Sequence, residues 1–173
     1  MQILLVIVYS IIFAATIKIA DLLDEHGLKL FKGSKTLFGI LWGVSFLLLT
    51  TLDAYIAGFW IAFLLYWILN HKIDYHNHCL ATAIIFAYYL WKPPLIDWLL
   101  LSSTLIIYLG FYLHEKYLLR KRTIILRYNL HILILLLAYT YAQPAALSAI
   151  LAFVIDSLVY HGIKSLAAHH GYT

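Results

Sequence analysis

The segment that decides the fold is residues 36–70, with the sequence TLFGILWGVSFLLLTTLDAYIAGFWIAFLLYWILN. It is 35 residues long and has one charged side chain, Asp53. As a single helix it would extend about 52 Å, whereas the hydrocarbon core of a bilayer is about 30 Å thick. Residues 50–53 form its only polar cluster, so the segment is predicted to turn there and fold back as a hairpin of two helices.

Two later segments show the same pattern. Residues 79–113 are again 35 residues long and break at a Pro-Pro pair, and residues 123–160 span 38 residues and break at Gln143-Pro144. Proline removes a backbone donor and restricts the residue before it, so both breaks predict helix ends. With the lone apolar run 2–20, the pattern predicts an all-α transmembrane bundle of about seven crossings, one lone helix plus three tight hairpins.

The composition supports lipid as the main solvent of this chain. Hydrophobic residue types make up 64% of the 173 residues and charged types 12%, against roughly 45–50% and about 25% in soluble domains. The sequence therefore excludes a water-soluble domain and predicts one integral membrane domain over residues 1–173. The single cysteine, Cys79, excludes an intramolecular disulfide or a multi-cysteine metal site.

The distribution of basic residues predicts the orientation in the membrane. With seven crossings, 11 of the 12 Lys and Arg residues fall on one side, and only Lys92 falls on the other. The positive-inside rule assigns the basic side to the cytoplasm, with the amino terminus outside and the carboxy terminus inside. We therefore expect a multi-pass protein of the cell membrane whose partner is membrane lipid, and the basic charge gives no indication of nucleic acid.

All nine histidines fall on the predicted cytoplasmic side. They are His26, His71, His76, His78, His114, His131, His161, His169 and His170. Four of them are predicted to follow the ends of the odd-numbered helices, and these are His26, His71, His114 and His161. Histidines at one membrane level on several helices could converge, which is how metal sites of helix bundles are built.

Segment 71–78, HKIDYHNH, is the richest part of this histidine cluster. If it is helical, His71, Asp74 and His78 share a face, and if it is extended, His76 and His78 share a side. Imidazole and carboxylate ligands suit a divalent metal such as zinc, iron, manganese or magnesium. The predicted ligands are His71, Asp74, His76, His78, His114 and His161. The alternative is a loop whose histidines are merely solvated or contact lipid phosphates.

Acidic residues provide the other candidates. In the segment DLLDE, residues 21–25, the acids Asp21, Asp24 and Glu25 could hold a second metal ion or, with Lys35, a diphosphate. Asp156 lies inside the last apolar run, where ionisable groups usually face the bundle interior and serve function. We therefore predict Asp156 and Glu115 as acid/base residues, with a structural ion pair as the alternative for Asp156.

The stretch Gly33–Gly43, GSKTLFGILWG, resembles the G-x-K-T-x-x-G pattern of membrane CDP-archaeol synthases. It covers 11 residues of the chain. The resemblance implies a CTP-dependent lipid nucleotidyltransferase with a divalent metal ion, and it implies that Lys35 and Thr36 lie at the nucleotide phosphates.

The sequence therefore predicts a metal-dependent membrane enzyme that acts on a lipid or isoprenoid at the cytoplasmic face. A small transporter or proton-coupled permeation unit is the alternative, in which Asp156 and His131 would titrate. The nucleotidyltransferase and a non-enzymatic subunit of a membrane complex are minor alternatives. The sequence leaves open the substrate, the reaction, the metal, the oligomeric state and the convergence of the histidines.

Overall fold

The chain is all-helical in the residues that the structure describes. The computed structural model describes the backbone of residues 2–117 and 130–172, and the side chains of these ranges except those of 114–117, 130 and 131. The seven α-helices within these ranges are α1 (Gln2–Asp24), α2 (Ser34–Thr50), α3 (Ala54–Leu69), α4 (His76–Trp91), α5 (Trp98–Tyr117), α6 (Leu130–Ala142) and α7 (Leu147–His169). The predicted all-α fold is confirmed.

The three predicted hairpin turns lie between helices, as expected. The first turn separates α2 from α3, and Asp53 caps α3 by accepting a hydrogen bond from the backbone N–H of Ile56 at 2.8 Å. In the second turn Asp97 accepts the N–H of Leu100 at 2.8 Å. In the third, Pro144 begins a short 3₁₀ turn that leads into α7. Asp53 and Asp97 therefore have structural roles as helix caps.

His71 ends α3 in a left-handed conformation, with φ +53°. The N–H of His71 bonds to the carbonyl of Ile68 at 3.1 Å and the N–H of Lys72 bonds to that of Trp67 at 2.9 Å. These two hydrogen bonds form a Schellman motif, which satisfies carbonyl groups at the end of the helix. The predicted end of the third helix before His71 is confirmed.

Two other predicted helix ends are wrong. Helix α5 continues past His114 to Tyr117, and α7 continues past His161 to His169. In α7 the residues after Gly162 include good helix formers such as Leu166 and Ala167, which favour continuation of the helix in spite of the glycine. The turn comes at Gly171, whose φ is +85°. Only His26 and His71 therefore follow helix ends as predicted.

Helices meet at two ends of the bundle. At one end, which we call the charged end, the carboxyl end of α1 contacts the amino end of α4 through Asp21 and His78. At the opposite end, the N–H of Asp97 at the start of α5 bonds to the carbonyl of Ala54 at the start of α3, at 3.0 Å. Tyr139 near the end of α6 donates to Asp97 at 2.8 Å. Successive helices therefore run in alternating directions.

Aromatic rings fill the core between the two ends. Phe13 of α1 packs edge-to-face on Phe46 and Trp60, with ring centroids 5.6 and 4.9 Å apart. Phe59 makes the same kind of contact with Trp60 at 5.0 Å and with Phe153 of α7 at 5.6 Å. Edge-to-face pairs contribute beyond the area that they bury. These rings join α1, α2, α3 and α7.

Helices α2 and α4 approach closely along a stripe of small residues. A Cβ placed on Gly39 would lie 2.9 Å from the backbone oxygen of Asn77, and one on Gly43 would lie 3.0 Å from the Cα of Ala81. Two glycines four residues apart lie on one helix face, which lets the two backbones approach. The glycines of segment 33–43 therefore have a packing role.

In the described part of the chain, two helical segments are long and apolar enough to cross a membrane. They are Gln2–Asp24 and Pro144–His169, with mean hydropathies of 2.5 and 1.8 in their most apolar windows. Shorter apolar helices occur at Ser34–Thr50, Ala54–Leu69, Trp98–Leu113 and Ile132–Ala142.

Substitution of Gly39 tests the close packing of α2 on α4. We expect Gly39→Ala to lower the free energy of unfolding by about 1–3 kcal/mol, because the added methyl group meets backbone of α4 that must shift. Gly110→Ala in α5 is the control, since its Cβ meets no atom of the described residues within 4 Å. Both variants share the gain in helix propensity. Equal melting temperatures of the two purified variants would contradict the close packing of α2 on α4 at Gly39.

Candidate functional site

The carboxylate of Asp21 joins three helices at the charged end. Its Oδ1 lies 3.1 Å from Nε2 of His78 on α4, and its Oδ2 accepts a hydrogen bond from the hydroxyl of Tyr160 on α7 at 2.9 Å. The ammonium of Lys18, one turn earlier on α1, lies 3.6 Å from Oδ2 and 3.5 Å from the Tyr160 hydroxyl. We call Lys18, Asp21, His78 and Tyr160 the polar cluster.

The polar cluster is shielded from solvent. The side chains of Lys18, His78 and Asp21 are only 3%, 9% and 13% exposed. Burying charges is costly unless they are paired and hydrogen-bonded, and in the cluster the charges face one another. The cluster therefore depends on all three helices being held in register.

Asn77 holds the amino end of α4 against α1. It is fully buried, and its Nδ2 donates a hydrogen bond to the carbonyl of Ala20 at 2.8 Å. Because Asn77 precedes His78 and Ala20 precedes Asp21, this bond fixes the register in which His78 meets Asp21. Asn77 is therefore a positioning residue for the polar cluster.

Hydrogen-bond geometry favours a protonated His78. Its Nε2 faces the Asp21 carboxylate at 3.1 Å, and its Nδ1 faces the carbonyl oxygen of Lys72 at 3.3 Å. Both partners are acceptors, so both contacts become hydrogen bonds only when the ring carries two protons. Burial lowers the pKa of His78, but the hydrogen bond and negative charge of Asp21, with smaller contributions from Lys72 and Glu25, raise it above 6.5.

The polar cluster borders a cavity of about 190 Å³ at the charged end. The residues that line the cavity are Ile17, Asp21, Glu25, Trp42, Trp67, Lys72, His78 and Tyr160. Its walls thus combine charged groups with apolar and aromatic side chains. The polar cluster therefore has space beside it for a small ligand.

The acids of segment 21–25 have different partners. Asp21 faces α4 and α7, whereas Asp24 forms an ion pair with Lys35 of α2 at 2.7 Å. Glu25 lines the cavity and lies 3.8 Å from His26. Lys35, predicted to meet phosphate, thus neutralises a carboxylate that is only 5% exposed.

The predicted metal ligands are dispersed in the described structure. His71, Asp74, His76 and His161 are exposed, and only His78 is buried. His76 and His78 occupy the first turn of α4 two residues apart, so they point to different faces. Across residues 2–113 and 132–172, no three His, Cys, Asp or Glu side chains are grouped so that they could hold a metal ion. The side chains of His114, Glu115 and His131 lie outside the described residues.

Asp156 lies one helical turn before Tyr160 on the same face of α7. It is partly buried, and its Oδ1 is shielded from solvent and accepts no hydrogen bond from any described residue. By the helical rise it is about 6 Å further into the bundle than Tyr160. Asp156 is therefore a neighbour of the polar cluster and makes no hydrogen bond to it.

Lys18 and Tyr160 belong to the site, but sequence reasoning did not select them. Lys18 had a detectable signal, because it is a lysine inside the apolar run 2–20 and lies three residues before Asp21. Ionisable groups within such runs usually face the bundle interior. Tyr160 had no comparable signal, since a tyrosine near a helix end is common at membrane interfaces.

The stability of the protein should depend on pH through His78. Because the pKa of His78 is raised above 6.5 in the folded state, its contact with Asp21 stabilises the fold fully below pH 6.5. That stabilisation is lost as the pH rises through the folded-state pKa. We expect the melting temperature of the wild type to exceed that of His78→Gln by more at about pH 6 than at about pH 9.

His76→Gln is the matched control for this measurement, because His76 is exposed on the same turn of α4. It should keep the pH dependence of the wild type. A difference between wild type and His78→Gln that is equal at both pH values would contradict the role assigned to the Asp21 contact.

Comparisons with family models, with curated proteins and with solved structures found no match to the chain. The resemblance of Gly33–Gly43 to CDP-archaeol synthases therefore rests on that stretch alone. In the structure Thr36 is exposed, Lys35 pairs with Asp24, and Gly39 packs on α4.

Proposed function

We propose that the protein crosses the cell membrane several times, with its charged end in the cytoplasm. The alternating helices and the two long apolar segments support this proposal. The outer surface supports it too, because large apolar side chains such as Leu90, Trp91 and Ile106 are 88%, 80% and 68% exposed. Extended apolar surface of this kind is unfavourable in water and suits contact with lipid.

Cysteine labelling tests the proposed topology. Cys79 is the only cysteine, so Cys79→Ser gives a background for single cysteines. We expect an impermeant maleimide to label Thr51→Cys and Gln143→Cys in intact cells, because both positions lie in turns at the opposite end. Lys32→Cys should react only after permeabilisation. Labelling of all three positions in intact cells would contradict the orientation.

We propose further that the protein is an enzyme acting on a lipid or isoprenoid substrate at this cytoplasmic face. The single observation that carries the proposal is the convergence of Asp21, His78 and Tyr160 from three helices on one cavity. Paired carboxylate and imidazole groups on a cavity wall are typical of acid/base sites. Trp67, which lines the same cavity and is partly exposed, suits a substrate with an apolar portion.

His78 would act as the general acid/base residue. Its contact with the Lys72 carbonyl, at 3.3 Å, is longer than its contact with Asp21, so a substrate oxygen can take the place of that carbonyl at Nδ1. His78 would then pass the Nδ1 proton to the substrate oxygen and recover a proton in a later step. Asp21 would keep the ring oriented throughout, and Tyr160 and Lys18 would hold the second oxygen of Asp21.

The divalent metal ion stays a prediction of the sequence. Both oxygens of Asp21 already accept contacts from side chains, so Asp21 is better placed as a partner of His78 than as a metal ligand. A metal would need ligands from elsewhere, such as His114, Glu115, substrate oxygens or water. Metal analysis of the purified protein, with zinc, iron, manganese and magnesium titrated separately, addresses this prediction.

The core favours an enzyme over the alternative of a proton-coupled transporter. Asp156 extends the line of titratable groups from Tyr160 of the polar cluster into the bundle. Beyond Asp156, however, the described helices are joined by Phe13, Phe59 and Phe153, which are 1%, 0% and 6% exposed. A pathway would have to continue through this packed aromatic layer, whereas an enzyme needs access from one side only.

Lipid turnover by purified protein tests the proposed enzyme. We expect membrane lipid extract incubated with the protein to lose one lipid class, as followed by mass spectrometry. Asp21→Asn and His78→Gln should slow the conversion by about 100-fold or more, because each removes an acid/base partner. His76→Gln, an exposed neighbour, should retain the wild-type rate. Equal rates for His76→Gln and His78→Gln would contradict the assignment of His78.

A further inference from the structure

The connection between α1 and α2 carries exposed apolar surface and exposed positive charge side by side. We call residues 28–32, with the sequence LKLFK, the α1–α2 link. Leu30 and Phe31 are 51% and 58% exposed, and Lys29 and Lys32, which flank them, are exposed as well. Exposure of a leucine and a phenylalanine is unfavourable in water. The link therefore presents an apolar pair that a partner could cover, with a lysine on either side.

The α1–α2 link is anchored at both ends. Gly27 and Gly33 bound it with φ of +73° and +88°, a backbone conformation that glycine adopts readily and other residues rarely. The ion pair between Asp24 and Lys35, at 2.7 Å, joins the two helices that the link connects. The chain therefore turns at two fixed points, and the side chains between them are presented outside the helix bundle.

The charge around the link is positive. Residues 26–52 contain three lysines and no Asp or Glu. One of the three, Lys35, is paired with Asp24. The other two, Lys29 and Lys32, have no carboxylate within 4.0 Å in the ranges that the structure describes. Lysines beside a bilayer are attracted to anionic phospholipid headgroups, so the charge of the link complements an anionic lipid surface.

A lipid surface accommodates the apolar and the charged side chains of the link together. Leucine and phenylalanine of interfacial segments enter the boundary between headgroups and acyl chains. The stems of neighbouring lysines lie along apolar surface while their ammonium groups reach the headgroups. In the proposed membrane orientation α1 and α2 lead from the hydrocarbon to the link, so lipid is already next to it. An acidic protein would have to be recruited from solution.

We propose that the α1–α2 link binds anionic phospholipid of the cytoplasmic leaflet, with Leu30 and Phe31 among the acyl chains and Lys29 and Lys32 at the headgroup phosphates. The inference rests on the proposed crossing of the membrane and goes beyond the proposed enzyme. The link begins three residues after Glu25, which lines the cavity, and is therefore within about 11 Å of it along the chain. Lipid bound at the link would hold the cavity near the level of the headgroups.

Fluorescence quenching tests the insertion of the link. Leu30→Cys in the Cys79→Ser background is labelled with the fluorophore NBD and reconstituted in vesicles of phosphatidylcholine and phosphatidylglycerol. We expect lipids brominated on their acyl chains to quench the label and aqueous iodide to quench it little. Ala168→Cys is the control, because Ala168 is exposed and lies about 12 Å beyond Tyr160 by the rise of α7, so iodide should quench it. Equal iodide quenching at both positions would overturn the proposal and leave the link open to a protein partner.

Lysine substitutions test the preference for anionic lipid. Phosphatidylglycerol is titrated into the detergent-solubilised protein, and its binding is followed by native mass spectrometry. We expect the double variant Lys29→Gln and Lys32→Gln to weaken binding about 10-fold or more, because it removes both charges of the link. The double variant Lys92→Gln and Lys164→Gln is the control, since both lysines are exposed and lie outside the link. Equal weakening by the two double variants would reveal general attraction of anions and overturn the assigned surface.

The lipid-binding link and the proposed membrane orientation fail in different ways. Maleimide labelling that supports the orientation, together with a Leu30→Cys label that only iodide quenches, would overturn the lipid-binding link alone. Labelling of Thr51→Cys and Gln143→Cys only after permeabilisation, together with quenching of the Leu30→Cys label by brominated lipid, would overturn the assignment to the cytoplasmic leaflet and support the contact with lipid.

Discussion

The carboxylate of Asp21 is the interaction on which the charged end of this bundle depends. One side chain accepts contacts from His78 of α4, Tyr160 of α7 and Lys18 of its own helix. In an apolar bundle, dispersion and burial hold helices together without specifying one rotation or register, because many apolar contacts are interchangeable. A buried carboxylate is satisfied in few arrangements, so it selects the register of α1, α4 and α7.

Close packing of α2 on α4 makes the contact between Asp21 and His78 possible. Gly39 and Gly43 let α2 approach α4, and Asn77 then bonds to the carbonyl of Ala20 on α1. Larger residues at the two glycines would move α4 away from α2 and so shift His78 relative to Asp21. The small residues of the helix interface and the polar cluster are therefore parts of one arrangement, in which backbone proximity sets the geometry of the side chains.

The two ends of the bundle use acidic residues differently. At the opposite end Asp53 and Asp97 cap helices, and Asp97 also accepts a hydrogen bond from Tyr139. These contacts stabilise turns and leave little for chemistry. At the charged end Asp21 belongs to a buried network beside a cavity. The proposed chemistry follows from this difference, since the charged end combines titratable groups with space for a ligand.

Hydropathy and proline positions alone determined the helices and turns, because an apolar run of 35 residues and a Gln143-Pro144 break constrain the backbone locally. They also indicated that titratable residues gather at one end. Only the tertiary structure decided which of these residues meet: it placed His71 in an exposed turn and paired Asp24 with Lys35, while it joined Lys18 and Tyr160 to Asp21. The physical reason is that helix rotation and register arise from packing between distant segments, and no spacing along the chain specifies them.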